Sequence, residues 1–275
     1  MILLSYGGPE FCYLRPIEHL EHDVPYTQET VQSVHTWSDK TFSFTTTRPE
    51  GFAFENGEFV TIGLKPEGKL IARAYSIVST NDQPHLEFLS IHVPDGPLTS
   101  RLVHIKPGDA VWVNSKATGS LTLNYLLPGR VLYLLDTGTG LAPFMCLIRD
   151  PAVFKAYDKV VLIHTVRTVP ELAYKADIEA LCAANPQLHY LPSVTREPFE
   201  RSMRCSELLL TGAGARELGL PEPDKDQDRV MLCGNPEMNK QVTDVLEARG
   251  WVMTSHRGVG NFTVEKAFVV HHAGD

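Results

Sequence analysis

From Thr27 the chain is written in short runs that alternate apolar and polar residues. Val31, Val34 and Trp37 open the pattern, and Phe42 and Phe44 then alternate with Ser and Thr between Thr41 and Thr47. Further runs follow at Phe59 to Leu64, Ile71 to Val78, Leu86 to Val93 and Ala110 to Val113. Period-two alternation is the mark of a half-buried strand. Clusters of Pro, Gly, Asn and Asp punctuate the runs at 49–51, 66–68, 81–82 and 107–109. Many short strands at this spacing predict an antiparallel barrel or sandwich. One helix is predicted inside it, Leu98 to Ile105, with Pro97 at its first position and Leu98, Leu102 and Ile105 at helical period.

The rhythm changes after Pro128-Gly129. Arg130 to Leu135 is a continuous apolar run, as expected of a strand covered on both faces. A helix is predicted over Leu141 to Arg149, a buried strand over Val160 to Val166 and a helix over Glu171 to Ala184. Strands at Leu188 to Val194 and Val230 to Cys233 follow, then a helix from Pro236 to Arg249 that stops at Gly250. Alternating strand and helix predict a parallel sheet with helices on both faces. The expected division is an extension over 1–26, a first domain over 27–126 and a second over 127–275.

Composition narrows the class. At 275 residues, 43% hydrophobic and 21% charged, the chain can bury two ordinary cores. A net charge of −8 argues against general nucleic-acid binding, which needs a basic field to neutralise phosphates. The five cysteines (12, 146, 182, 205 and 233) form no C-x-x-C pair, so reduced thiols are expected. The first residues carry no basic segment and too short an apolar run for a signal peptide, and no run reaches transmembrane length. A cytoplasmic protein without integral membrane association is expected.

Candidate chemistry begins at Thr137-Gly138-Thr139-Gly140, which joins the first buried strand to a helix. Glycines let a backbone turn tightly against a phosphate, and free amides with the helix dipole attract the anion. Pro143 stands where the dinucleotide fingerprint has its third glycine, and such a turn alone is more often an ordinary connection. The next strand adds to it. Asp158 precedes that strand, the wrong end to bind ribose hydroxyls, whereas Arg167 follows it and Arg196 and Arg204 follow the third. Three cations at strand ends suit a 2′-phosphate, which favours NADP(H) over NAD(H).

Four motifs occur in fixed order: Arg73-Ala74-Tyr75-Ser76, Gly96-Pro97-Leu98-Thr99-Ser100, Thr137 to Pro143, and Cys233-Gly234-Asn235-Pro236. Together they resemble the flavin and nucleotide motifs of the ferredoxin–NADP+ reductase superfamily, and the tail Val264 to Val269 resembles the C-terminus of its bacterial ferredoxin/flavodoxin members. The resemblance runs from about Thr27 to the end. It implies FAD on an antiparallel β-barrel and NADP(H) on a Rossmann-like α/β parallel-sheet domain. Arg73 would then pair with the flavin pyrophosphate, helped by Leu98, Thr99 and Ser100. Tyr75, beside Ala74, would stack on the isoalloxazine. Ile91, His92 and Val93 would line the ring, and Thr118 would touch the adenosine part. Thr137, Gly138, Thr139, Gly140, Gly234 and Asn235, with the three arginines, would hold NADP(H). The resemblance gives catalytic roles to Ser76 near flavin N5, Cys233 beside the nicotinamide, and Glu265. Ala267 departs from the plant-type pattern, where an aromatic residue covers the flavin; Ala267 and Phe268 are expected to contact the cofactor instead. His19 and His22 have no partner ligands nearby, and no metal site is expected.

The implied reaction is two-electron exchange with NADP(H) and one-electron exchange with ferredoxin or flavodoxin, docked transiently by charge on a monomer. An acidic carrier meeting an acidic chain would need a local basic face, for which Lys65, Lys69, Arg48 and Lys106 are candidates. The run of cysteines that holds an iron–sulfur cluster does not occur. Two alternatives stand: a flavin reductase serving a dedicated oxygenase, and a non-enzymatic nucleotide-sensing module on the same fold.

Overall fold

The computed structural model describes residues 26–255 and 258–266. The histidines at 19 and 22, Ala267 and Phe268 lie outside the described residues. Six antiparallel strands make the first half: β1 (Tyr26–Thr36), β2 (Thr41–Thr47), β3 (Phe59–Leu64), β4 (Ile71–Ser76), β5 (His85–Ile91) and β6 (Ala110–Thr118), in the spatial order β4-β3-β6-β1-β2-β5. An antiparallel bridge between Ile77 and Phe88 joins the two ends of that order and closes the sheet into a barrel. The alternation read from the sequence fills the interior: Val31, Phe42, Phe44, Val60, Ile62, Phe88, Val111 and Val113 meet there.

In β2 the polar positions are buried as well, including Thr41 and Ser43. The reason lies in the second half of the molecule, which covers this face of the barrel. Trp37, whose Nε1 donates to Ser43 Oγ at 3.1 Å, packs its ring on Tyr174 of the second half.

The second half is a five-stranded, wholly parallel sheet of β7 (Val131–Thr137), β8 (Lys159–Val166), β9 (Leu188–Val194), β10 (Asp228–Gly234) and β11 (Phe262–Lys266), ordered β11-β10-β7-β8-β9. Two cores lie on its faces. Leu132 and Leu134 point to one, with α2 (Leu141–Ile148), α3 (Pro151–Ala156) and α4 (Lys175–Ala184); Tyr133 and Leu135 point to the other, with α5 (Cys205–Leu210) and α7 (Pro236–Ala248). Strand order reverses between β7 and β10, and α/β sheets bind ligands at the carboxyl ends of strands flanking such a point.

Several elements differ from the sequence expectation. Of the helix expected over Leu98 to Ile105, Thr99–Leu102 is α-helical (α1), so Pro97 lies outside it and Leu98 is its cap. The helix expected from Glu171 starts at Lys175, because Tyr174 takes a left-handed φ of 56°, a conformation that costs a non-glycine residue about 1 kcal/mol or more. Strand β6 runs five residues past Val113, to Thr118. Helices α3, α5 and α6 (Ala213–Glu217) and strand β11 were not expected.

Candidate active site

Pairing register sets out the barrel side of the site. On β4, Arg73, Tyr75 and Ser76 lie opposite Ile62, Val60 and Phe59 of β3. Phe59 in turn pairs with Thr118 of β6, so Ser76, Phe59 and Thr118 share one row across three strands. Arg73 and Ala74 are exposed, and the Arg73 guanidinium donates to the carbonyl of its neighbour Ala72 at 2.7 Å, leaving it open to an anion. The Tyr75 hydroxyl lies 3.1 Å from Ser90 Oγ and the ring meets Phe88 edge-on, which fixes its plane. Burial raises the Tyr75 phenol, which stays protonated near neutral pH.

After β5, His92 donates its amide to Lys40 O at 2.6 Å, and the chain then bends through Val93, which is 42% exposed, to Gly96 and α1. Leu98 is buried; Thr99 and Ser100 are half-buried, with Thr99 Oγ1 donating to Val93 O at 3.2 Å. The structure thus gathers Ile91, His92, Val93 and the start of α1 at one end of the barrel.

The facing side is built at the ends of β7 and β10. Gly138 has a φ of 59° and open space where a side chain would stand, so its backbone is accessible to a ligand. Gly140 is confined instead: a Cβ there would lie 2.0 Å from Cys233 O. At Gly234 a Cβ would lie 2.5 Å from Thr137 Oγ1. Thr137 Oγ1 accepts from the Asn235 amide at 2.9 Å, and Asn235 Oδ1 caps α7 by accepting from Met238 N at 2.9 Å. Asn239 Nδ2 reaches Glu265 O at 2.8 Å, tying α7 to β11. Arg167, Arg196 and Arg204 are all exposed beyond the ends of β8 and β9, and among the described residues none is in an ion pair. The Arg196 amide donates to Arg167 O at 2.9 Å, which places those two residues side by side. Nearby Arg201 is committed elsewhere, to Glu217 and to Pro192 O.

Between the halves, Cys233 and Glu265 are register partners on β10 and β11. Glu265 reaches into the barrel: its carboxylate accepts from the amide and hydroxyl of Ser120, and Thr263 Oγ1 donates to Ser120 Oγ at 3.0 Å. Burial raises the Glu265 carboxyl against the lowering effect of the Ser120 bonds, with the nearby Glu58 raising it further. The Cys233 thiol is driven well up by burial and by the charges of Glu265 and Asp136, so it is a neutral thiol. Gly119 makes room for this meeting: its φ is 154°, and a Cβ would stand 3.0 Å from Glu265 Oε1.

Sequence reasoning did not single out Ser120, which bonds the Glu265 carboxylate, Asn239, which bonds its backbone carbonyl, or Glu58, whose charge lies near it; no local pattern marks them. It also missed the fully buried Asp136–His164 pair in register with Cys233. Of the expected docking residues, Arg48 is consumed by Phe52 O, Asn81 and Gln83 O and is not free for a partner. Lys106 pairs with Asp109 on the surface, a weak tie that leaves it available, and Lys65 lies over the Trp112 ring.

A closed antiparallel barrel carrying an Arg-x-Tyr-Ser strand, abutting a doubly wound parallel sheet with a pyrophosphate-type turn at its switch point, defines a two-domain flavin- and nicotinamide-type oxidoreductase. Family comparison agrees: residues 28–121 match the oxidoreductase FAD-binding domain and residues 134–244 the oxidoreductase NAD-binding domain. The chain is 47% identical over 251 residues to ferredoxin–NADP reductase A of Sorangium cellulosum, covering 88% of this chain and 90% of that one. It is 46% identical over 250 residues to the ferredoxin–NADP reductase of Pseudomonas aeruginosa, covering 88% and 97%. A crystal structure of a Neisseria gonorrhoeae ferredoxin NADP+ reductase with bound FAD and NADP superposes with a TM-score of 0.82 at 30% identity, over 88% of this chain and 99% of that one. The chain belongs to the ferredoxin–NADP reductase family.

Proposed function

We propose that this protein is an FAD-dependent oxidoreductase that exchanges electrons between NADP(H) and ferredoxin or flavodoxin, as a cytoplasmic monomer whose domains divide near residues 125–130. The observation that carries the reading is the meeting of the two half-sites: Glu265 of the nucleotide half is bonded to Ser120 of the barrel, beside the Ser76–Phe59–Thr118 row. The residues present fit both cofactors. Arg73 has no ion-pair partner among the described residues, and Gly138 is open where a dinucleotide would pass. The described cysteines, 146, 182, 205 and 233, are all free, which suits a reducing compartment. Among the described residues no helix is long and apolar enough to cross a membrane.

Bound FAD supplies the redox chemistry, accepting a hydride's two electrons together and exchanging electrons singly with a carrier. The chain supplies position and polarity. Arg73, with the first turn of α1, holds the flavin pyrophosphate by charge-assisted bonds. Tyr75 stacks on the ring, its hydroxyl oriented by Ser90. Gly138 to Gly140 turn the backbone against the nucleotide pyrophosphate at the start of α2. Arg167, Arg196 and Arg204 bind the 2′-phosphate and so select NADP(H). Cys233, uncharged and buried, gives the nicotinamide a wall that carries no competing charge. Glu265 holds a proton more readily than an ordinary carboxyl, because it is buried, while Ser120 donates to its Oε1. Ala267 and Phe268 follow Lys266 at the end of β11 and are proposed as the chain's last cofactor contacts.

The test is direct. Purified protein should carry FAD and its yellow absorbance, NADPH should bleach it far faster than NADH, and ferredoxin or flavodoxin should restore it. Reoxidation only by free flavin would assign the protein instead to the flavin reductases.

A further inference from the structure

A second contact joins the halves, away from Glu265. Tyr174, the left-handed residue ahead of α4, is buried, and its ring meets Trp37, from the turn after β1, with centroids 4.5 Å apart. Its hydroxyl donates to Glu87 Oε1 at 2.8 Å, and Glu87 lies on barrel strand β5. The other Glu87 oxygen accepts from Arg149 Nη1 at 2.8 Å, and the Arg149 guanidinium lies 5.5 Å from the Tyr174 ring. Arg149 also donates to Val78 O at 3.3 Å. One barrel carboxylate therefore holds two residues of the nucleotide half, each through its own oxygen.

The elements involved are those that carry the two half-sites. Arg149 caps the C-terminus of α2, and the Gly138–Gly140 turn feeds its N-terminus. All eight residues of α2 are buried, so the helix acts as a strut of about 12 Å. On the barrel side, Glu87 shares β5 with Ser90, the partner of the Tyr75 hydroxyl, and with Ile91. The cluster is thus connected by one helix to the nucleotide turn and by one strand to the flavin face.

We propose that Glu87, Arg149 and Tyr174 are positioning residues that fix the angle between the two halves, and with it the approach of the nicotinamide to the flavin. This rests on the function proposed above. A positioning error of about 1 Å remote from the reacting atoms is enough to slow a reaction up to a hundredfold.

The test compares wild-type holoprotein with Tyr174→Phe, which keeps the ring, and Glu87→Gln, which keeps the shape. Reduction of the flavin by saturating NADPH should slow about tenfold in either variant. Affinity for 2′-phospho-AMP, which needs the nucleotide half alone, should stay unchanged, as should reduction by dithionite, which needs no alignment. Hydrogen exchange at the amides of Val78 and Glu87 should quicken with or without FAD. Wild-type rates of NADPH reduction in both variants, even with lowered melting temperatures, would overturn the inference. So would loss of FAD from both, which would make the cluster a folding element. Failure of NADPH to reduce the wild type would instead defeat the functional reading, since the inference is judged on the ratio of variant to wild type.

Discussion

A methyl group added at Gly140 would be driven into the Cys233 carbonyl oxygen, which is backbone and cannot swing aside. The turn must then part from β10, so Gly140→Ala should cost about 1–3 kcal/mol of stability and most of the NADPH-dependent activity. Thermal melting together with NADPH titration reads both; wild-type values would show that the turn does not pack as described. At Glu265 the sign can be worked through. Its carboxyl is raised above the ordinary 4.5, so the folded state favours the protonated form. That contribution is complete below pH 4.5 and is lost as pH rises toward the raised value. Glu265→Gln should therefore gain stability over wild type as pH rises through this window, and the gap should close in acid. A gap independent of pH between about 4 and 8 would contradict the burial of this carboxyl. The sequence named Glu265 only through the family pattern. That it would be anchored by Ser120, 145 positions away, was not legible, because such a contact exists only after the halves meet.

Among the elements, those with a strong period were readable and those made by context were not. The strands at Phe59–Leu64 and Val131–Thr137 fall where short strand-like runs and a continuous apolar run predicted them. Helix α4 begins late because Tyr174 serves the contact between halves, and local periodicity carries no trace of that duty. Strand β11 is five residues that acquire their state by pairing with β10, and it too was invisible from propensity. Helix α3 carries a clearer local sign, since Asp150 accepts from Ala152 N and Pro151 opens the helix. The ends of β8 and β9 carry the prediction proper to this scale. Removing Arg196 and Arg204 by substitution to Ala should raise the NADPH Michaelis constant at least tenfold, since a charge-assisted bond contributes about 1.5–3 kcal/mol. NADH, lacking the 2′-phosphate, should be little affected; equal losses for both nucleotides would remove the phosphate assignment.

For the whole molecule, the net charge of −8 makes encounter with an acidic carrier depend on local cations. With Arg48 turned inward, the exposed Lys65, Lys69 and Lys106 remain for that face. Ferredoxin reduction should weaken as salt rises, and a rate independent of ionic strength would exclude docking by charge. In the proposed function two half-sites, one per domain, meet to pass electrons from NADPH through FAD to a protein carrier. Double-mixing stopped-flow absorbance tests it most directly, with NADPH or NADH in the first mix and oxidised ferredoxin or flavodoxin in the second. NADPH should bleach the flavin rapidly and NADH slowly, and the carrier should reoxidise it. Protein that stays yellow with NADPH, or that is bleached but not reoxidised by either carrier, would contradict it.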